Sequence, residues 1–295
     1  MSISSILAAA SGGDATKGAV ETGFALARRL GAHVEIFHAA FDERQAILPM
    51  GDGMGVPVSG ELIERIIADG KKAQENARRA FDEAAKRHGL PLRHEAPPPQ
   101  GGAASGPREA SADWFTEIGS APDLIARRAR AFDLVVLGRS DRVADQPHSG
   151  SIEAAVLESG RPVLLAPGDW DGAPARRIAI GWNDSVEAVH ALAASLPLLR
   201  EASVVRIVTI GTEDEGLGAL AVGHLAWHGI AASAHLVPPV KGVGIGSQLL
   251  SAAREEGAEL LVMGAYGHAP WRELLFGGAT RDVVGTSLMP LLLAH

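Results

Sequence analysis

Glycines near the carboxyl end of the chain have the spacing of an anion-binding turn. Gly264, Gly267 and Gly277 follow the pattern G-x2-G-x9-G, and Gly278 stands next to the last of them. The run before Gly264 is short, apolar and without alternation, as in a parallel strand buried on both faces. The segment 279–286 has a helical pattern, and the free amides and dipole at a helix start favour phosphate. These glycines predict a phosphate-binding turn, or else only a tight turn between strand and helix.

This turn belongs to the second of two similar halves. In each half an apolar run ends in a turn and is followed by a helix and then by a strand. These parts are 6–13, 17–30 and 34–39 in the first half, and 178–185, 186–199 and 204–210 in the second. The ends of the halves correspond too, since Asp133–Gly138 resembles Glu259–Gly264 and each half closes on a strand entered through proline, at Pro162 and at Pro290.

The repeat predicts an α/β fold in two domains. Further helical segments at 63–88, 217–228 and 245–256 complete the order β-α-β-α-β-α-β-α-β in each half. Such alternation predicts a five-stranded parallel sheet with helices on both faces. The turn-rich linker 167–174 separates the predicted domains 1–168 and 175–295. The segments 49–60 and 96–107 are rich in glycine and proline, and we expect them to be surface loops.

The glycine spacing, the segment Ala279–Val284 and the closing strand after Pro290 resemble the universal stress protein family. Because the repeat covers nearly the whole chain, the sequence resembles a tandem member. The resemblance implies a Rossmann-like fold of the adenine nucleotide α hydrolase type. It also implies that some members bind ATP and others do not. Separate single domains of this family commonly pair through the last strand, and a tandem chain could do so internally.

The resemblance carries over to the second half only in part. In ATP-binding members an Asp after the first strand faces the ribose and metal, and that position falls on Asn183. Asn183 could bond a ribose hydroxyl or cap the next helix, but it lacks the charge that a hard cation prefers, so Mg²⁺ is doubtful. The family's Ser or Thr after the third glycine falls on Gly278. The predicted nucleotide-binding residues are Asn183, Ile210, Met263, Gly264, Gly267, His268, Gly277, Gly278, Ala279 and Thr280.

The first half retains other parts of the family pattern. The strand-1 Asp position falls on Ser11, the second glycine after Gly138 is lost, and Gly150–Ser151 keeps a Gly-Ser pair one residue closer. Ser11, Gly138, Gly150 and Ser151 therefore form a possible first-half site, with helix capping as the alternative for both serines.

Composition narrows the possible functions. The net charge of −8 disfavours sequence-independent binding of nucleic acid. The absence of cysteine excludes thiolate chemistry and disulfides. No apolar run reaches the roughly 18 residues of a membrane span, so we expect a cytoplasmic protein. The histidines lack a carboxylate partner at ligand spacing, and we predict no metal site.

Three functions are compatible with these patterns. The leading prediction is a regulatory, stress-response protein that binds an adenine nucleotide (ATP) in its second half. The second is an interaction scaffold with an unknown protein partner and no ligand. The third is an ATP-hydrolysing or ATP-pyrophosphatase-like enzyme. Ser11-Gly12-Gly13-Asp14 superficially resembles the phosphate loop of ATP pyrophosphatases, but no hydrophobic residue separates Gly13 from Asp14, and Ala15 stands where that loop has serine. No catalytic residue is predicted, and two chains could pair as a homodimer.

Overall fold

The computed structural model describes residues 2–42, 60–96, 109–139, 149–211, 216–267 and 278–295. The first half comprises β1 (Ser5–Ala9), α1 (Thr16–Leu30), β2 (His33–Ala40), α2 (Gly60–His88), β3 (Ser111–Ile118), α3 (Ala121–Ala129), β4 (Leu134–Arg139), α4 (Ser149–Glu158) and β5 (Val163–Pro167). The second half comprises β6 (Arg177–Gly181), α5 (Val186–Leu199), β7 (Val204–Ile210), α6 (Ala219–Trp227), β8 (Ser233–Val237), α7 (Ile245–Glu255), β9 (Leu260–Gly264), α8 (Gly278–Thr286) and β10 (Leu291–Ala294).

The predicted alternation of strands and helices is confirmed in both halves. The bounds of α5 and β7 are those predicted, and the other predicted elements differ from the observed ones by a few residues at their ends. Of the predicted loops, 49–60 and 96–107, all but Gly60 and Ala96 lie outside the described residues. In the described ranges, none of the helices combines the length and apolarity needed to cross a bilayer.

All ten strands belong to one sheet, in the order β3-β2-β1-β4-β5-β10-β9-β6-β7-β8. Within each half the neighbouring strands are parallel. The direction of winding changes between β1 and β4 and again between β6 and β9. In open parallel sheets a ligand crevice lies beyond the carboxyl ends of the strands at such a point.

The two halves meet through their last strands. β5 and β10 pair antiparallel, with Leu165 opposite Leu291 and Leu164 opposite Leu292. All four leucines are buried, so the junction adds apolar contact to the strand pairing. The internal pairing expected for a tandem chain is therefore confirmed. The domain bounds 1–168 and 175–295 remain a prediction.

Apolar residues alternate between the two faces of the sheet and form one core on each. On one face Phe24, Phe81 and Ile180 pack with residues of α1, α2, α5 and α6. On the other face Leu7 and Leu261 pack with residues of α3, α4, α7 and α8. Both cores run across the junction, because each contains buried residues of both halves.

One ion pair ties α3 to β2 at a largely buried position. The Arg128 guanidinium donates to both carboxylate oxygens of Glu35, and the Glu35 side chain is only 9% exposed. The Arg128 guanidinium carbon also lies 3.5 Å from the centroid of the Phe115 ring. Planar stacking and two parallel hydrogen bonds suit arginine and not lysine.

We expect His33, at the start of β2, to make the stability of the chain depend on pH. Burial lowers the pKa of its imidazole, and the Asp113 carboxylate opposes that shift. As pH falls below about 6.5, the ordinary histidine pKa, the unfolded chain takes up the proton before the folded chain does. The free energy of unfolding should therefore fall as pH falls from about 7.5 to about 5.5.

Urea denaturation of the wild type and of His33→Gln at both pH values isolates this contribution from that of the other histidines. Glutamine can keep a hydrogen bond to Ser111, whose hydroxyl lies 2.9 Å from His33 Nδ1. The variant should lose less stability on acidification. The same loss in both proteins would show that His33 does not cause it.

Candidate functional site

The crevice of the second half lies between the ends of β6 and β9, where Gly181 is paired with Met263. Beyond Gly181 the chain turns sharply, and Asp184 takes a positive φ of 58°. The Asn183 side-chain oxygen accepts a hydrogen bond from the Ser185 amide at 3.3 Å. Ser185 in turn caps α5 by accepting from the Ala188 amide at 3.2 Å. Ser185 is therefore the N-cap residue of α5, and Asn183 lies exposed beside the crevice.

The glycines after β9 bring this strand close to the start of α5. A Cβ atom at Gly264 would lie 2.6 Å from the Ala188 amide nitrogen, so only glycine fits there without a shift of backbone. Gly267 lies exposed farther along the turn. A Cβ atom at Gly267 would lie 3.1 Å from a carboxylate oxygen of Glu187, a residue that is 7% exposed. A buried carboxylate thus stands beside the glycine turn.

The same turn is tied to α8 by a side-chain hydrogen bond. The Tyr266 amide donates to the Thr280 hydroxyl oxygen at 3.3 Å, and Tyr266 has a positive φ of 57°. Thr280 is buried, Ala279 is half-buried, and Gly278 is the first residue of α8. Thr280 therefore contacts the glycine turn.

The remaining residues predicted for the second half lie at different depths. Ile210 is the half-buried last residue of β7, next to β6 in the sheet. Met263 is buried within β9. His268 and Gly277 lie outside the described residues, so their place in the site stays a prediction.

In the first half, helix α2 packs against the turn after β1. A Cβ atom at Gly12 would lie 2.1 Å from the carbonyl oxygen of Ala73 in α2. The Asn76 side-chain amide donates to the Gly12 carbonyl at 3.2 Å. The amides of the turn are used within it, because Gly12 donates to the Thr16 hydroxyl at 2.7 Å and Gly13 to the Ser11 hydroxyl at 3.3 Å. Ser11 therefore holds the turn together beneath α2.

The other first-half residues are more loosely grouped. Gly138, in β4, packs against α1, and a Cβ atom there would lie 1.9 Å from the Ala15 carbonyl oxygen. Gly150 is in α4, where a Cβ atom would lie 3.6 Å from the nearest side-chain atom, in Pro122. Ser151 is the third residue of α4. Its hydroxyl is buried and has no hydrogen-bond partner among the residues that the structure describes, so no capping interaction of Ser151 is seen there.

The sequence patterns missed two parts of the site. Glu187 is the second residue of α5, and its nearness in sequence to the turn after β6 could have been noticed. The contact of Ala73 and Asn76 with the turn after β1 joins residues about sixty positions apart, and nothing in the local pattern indicates it. Within the described ranges, no three or more His, Asp or Glu side chains are grouped to hold a metal ion.

Fold and crevice together define a class of molecule: two doubly wound α/β units of Rossmann type, each wound 3-2-1-4-5 and joined through their last strands. This is the fold of a tandem universal stress protein. The chain is similar to the crystal structure of a universal stress protein from Archaeoglobus fulgidus DSM 4304. The TM-score is 0.66 and the identity 11%, over 98% of this chain and 97% of that chain.

A second solved structure has the same layout. It is a functionally unknown protein from Pseudomonas aeruginosa PAO1, with a TM-score of 0.57 and 13% identity over 99% of this chain and 92% of that chain. No protein-family model and no curated protein matches the sequence. At these identities the likeness shows the fold, and the ligand has to be argued from the site.

Proposed function

We propose that this chain is a regulatory protein of the universal stress protein type that binds an adenine nucleotide, with ATP as the first ligand to test, in its second half. The observation that carries the proposal is the difference between the two crevices. In the second half Asn183 and Gly267 are exposed, whereas in the first half the Gly12 turn lies against α2. We place the protein in the cytoplasm, with which its lack of cysteine is compatible.

The arrangement provides a role for each exposed group. The Asn183 amide can bond a ribose hydroxyl, and the backbone from Gly264 to Gly267 can approach phosphate because it carries little side-chain bulk. The start of α8 supplies free amides and a positive dipole end. None of these groups is a nucleophile or a general base, so the proposal is for binding and not for catalysis.

A scaffold without a ligand is the second candidate, and two observations favour it. Asn183 provides no negative charge for a metal that would accompany ATP, and Glu187 places a carboxylate beside Gly267. In this case the glycines serve only the close contact between β9 and α5, and the unknown partner would be another protein.

Nucleotide retention and titration separate the two candidates. Protein purified without added ligand is denatured, released nucleotide is identified by chromatography, and stripped protein is titrated with ATP by calorimetry, with and without Mg²⁺. We expect a dissociation constant in the micromolar range, about −8 kcal/mol. From the glycine spacing we predict that Gly277→Val abolishes this binding, since a branched side chain would occupy the place that the motif leaves for an anion, and that Gly150→Val has much less effect.

Gly150→Val, in the first half, is the control for Gly277→Val in the second half. Equal loss of binding in both variants, with circular dichroism unchanged, would contradict the choice of the second half. No retained nucleotide and no heat at millimolar ATP would favour the scaffold.

A further inference from the structure

Helix α6 presents an apolar face to solvent. The segment Ala219–Trp227 contains no Asp, Glu, Lys or Arg. Its buried residues, Ala221 and Leu225, belong to the core on one face of the sheet, whereas Leu220 is 78% exposed and Trp227 is 92% exposed. A surface helix usually turns charged and polar residues outward. An exposed apolar face of this kind marks an interaction surface.

Two histidines lie at the carboxyl end of this face. His224 is four residues after Leu220 and three before Trp227, so the three side chains share one side of the helix. His228, the residue after α6, follows His224 at i+4, and both are exposed. Their ring centroids lie 4.7 Å apart, with the ring planes at 62°.

This spacing suits two ligands of one metal ion. Since zinc–imidazole bonds are about 2.0 Å long, two imidazoles bound to one tetrahedral ion have ring centroids roughly 5 Å apart. Imidazole nitrogen is a preferred ligand of divalent transition ions such as Zn²⁺. The pair His224 and His228 therefore has the geometry of a bidentate site for such an ion.

One chain supplies only half of the ligands of a closed site. In the part of the chain that the structure describes, no three or more His, Asp or Glu side chains come together, and structural zinc sites take four protein ligands. A second copy related by a twofold axis presents the same surface. It would bring two more imidazoles to the same ion.

The charge of this face favours a second copy. The chain has a net charge of −8, so copies repel one another in general. Helix α6 adds nothing to that repulsion, and a divalent cation at its carboxyl end lies where the helix dipole favours positive charge. A Cβ atom at Gly223 would meet no atom of the described residues within 4 Å, so a second helix can approach closely beside His224.

The size of the face indicates that the ion is needed. A helix of nine residues is about 13 Å long, and one tryptophan buries about 150 to 250 Å². A standard interface takes about 800 Å² from each partner. Apolar pairing of two α6 helices alone would therefore be weak, and bonds from four imidazoles to one ion would add the missing free energy.

We infer that His224 and His228 form half of a transition-metal site, and that Zn²⁺ joins two copies of the chain through their α6 helices. Leu220 and Trp227 pack across the twofold axis beside the ion. The inference does not depend on nucleotide binding in either half.

Light scattering coupled to gel filtration tests the inference on the full chain without an affinity tag. In EDTA the wild type should have the mass of one chain, and with one Zn²⁺ per two chains it should have the mass of two. Calorimetric titration with Zn²⁺ should give the same ratio of ion to chain. His224→Gln and His228→Gln should each abolish the zinc-dependent dimer, with circular dichroism unchanged.

Two further variants serve as controls. His190→Gln removes an exposed histidine of α5 and should leave the mass and the ratio of ion to chain unchanged. Trp227→Ala keeps both imidazoles and should raise the dissociation constant of the zinc-bound dimer at least about tenfold, as expected for loss of an apolar anchor.

Four results would overturn the inference. One Zn²⁺ bound per chain with the mass of a monomer would show that no second copy completes the site. A dimer that persists in EDTA and in His224→Gln would show that metal does not join the chains. Loss of the dimer in His190→Gln would place the zinc site elsewhere. A wild type that neither binds Zn²⁺ nor changes mass would contradict both the site and the pairing.

Discussion

Replacing Arg128 with alanine should lower the free energy of unfolding by about 3 kcal/mol, because it leaves a buried charge without its partner. Arg128 donates two hydrogen bonds to Glu35, whose side chain is only 9% exposed. The substitution also removes the guanidinium from the face of the Phe115 ring, where such a contact adds about 0.5 to 2 kcal/mol. The midpoint of urea denaturation measures the loss.

The neighbouring residue provides a matched control. Arg127 is paired with Glu117, but the arginine side chain is 62% exposed and that of Glu117 is 34% exposed. Pairs of this kind contribute roughly 0 to 1 kcal/mol. Arg127→Ala should therefore leave the midpoint nearly unchanged. Similar losses of stability in the two variants would mean that the burial of Glu35 does not make its ion pair with Arg128 stronger than the exposed pair of Arg127 with Glu117.

Gly138→Ala should destabilise the chain by about 3 kcal/mol, the upper end of the usual cost of overpacking. The added Cβ would lie 1.9 Å from the Ala15 carbonyl oxygen, and a backbone atom cannot rotate away as a side-chain end can. Either β4 or the start of α1 must move, and β4 is paired on both sides, with β1 and with β5. Thermal unfolding followed by circular dichroism measures the shift.

Gly150→Ala is the control for this variant. A Cβ atom there would lie 3.6 Å from Pro122 Cγ, an ordinary contact distance. Gly150 is the second residue of α4, and alanine has a higher helix propensity than glycine, so Gly150→Ala should be neutral or slightly stabilising. If Gly138→Ala were equally harmless, the contact between β4 and α1 would be looser than the structure indicates.

The sequence predicted those parts of the fold that depend on local pattern. Buried parallel strands are read from continuous apolar runs, as at 133–138 and 259–264, which correspond to β4 and β9. The start of α1 was predicted within one residue because a glycine turn ends the first apolar run. The family resemblance, and not any residue pattern, suggested that the last strands β5 and β10 could pair; that they pair antiparallel was not predicted.

The candidate site was predicted less completely, for physical reasons. The glycines indicate where the backbone makes a close contact, but their spacing does not show whether the contacting group is a phosphate or another part of the protein. At Gly264 it is the start of α5, and at Gly12 it is α2. The contact at Gly12 depends on the angle at which α2 crosses the sheet. Such an angle is set by packing, which local periodicity does not report.

Because the two halves are joined in one polypeptide, substitutions can accumulate in each half independently. In a symmetric dimer of identical chains each substitution occurs on both sides of the interface, so both sites must change together. Here Leu165 faces Leu291, and each is encoded separately. The covalent link also keeps the halves at a high effective concentration, on the order of millimolar for a short flexible connection. Their association therefore survives dilution, and mutations can accumulate in one half while the other keeps its role.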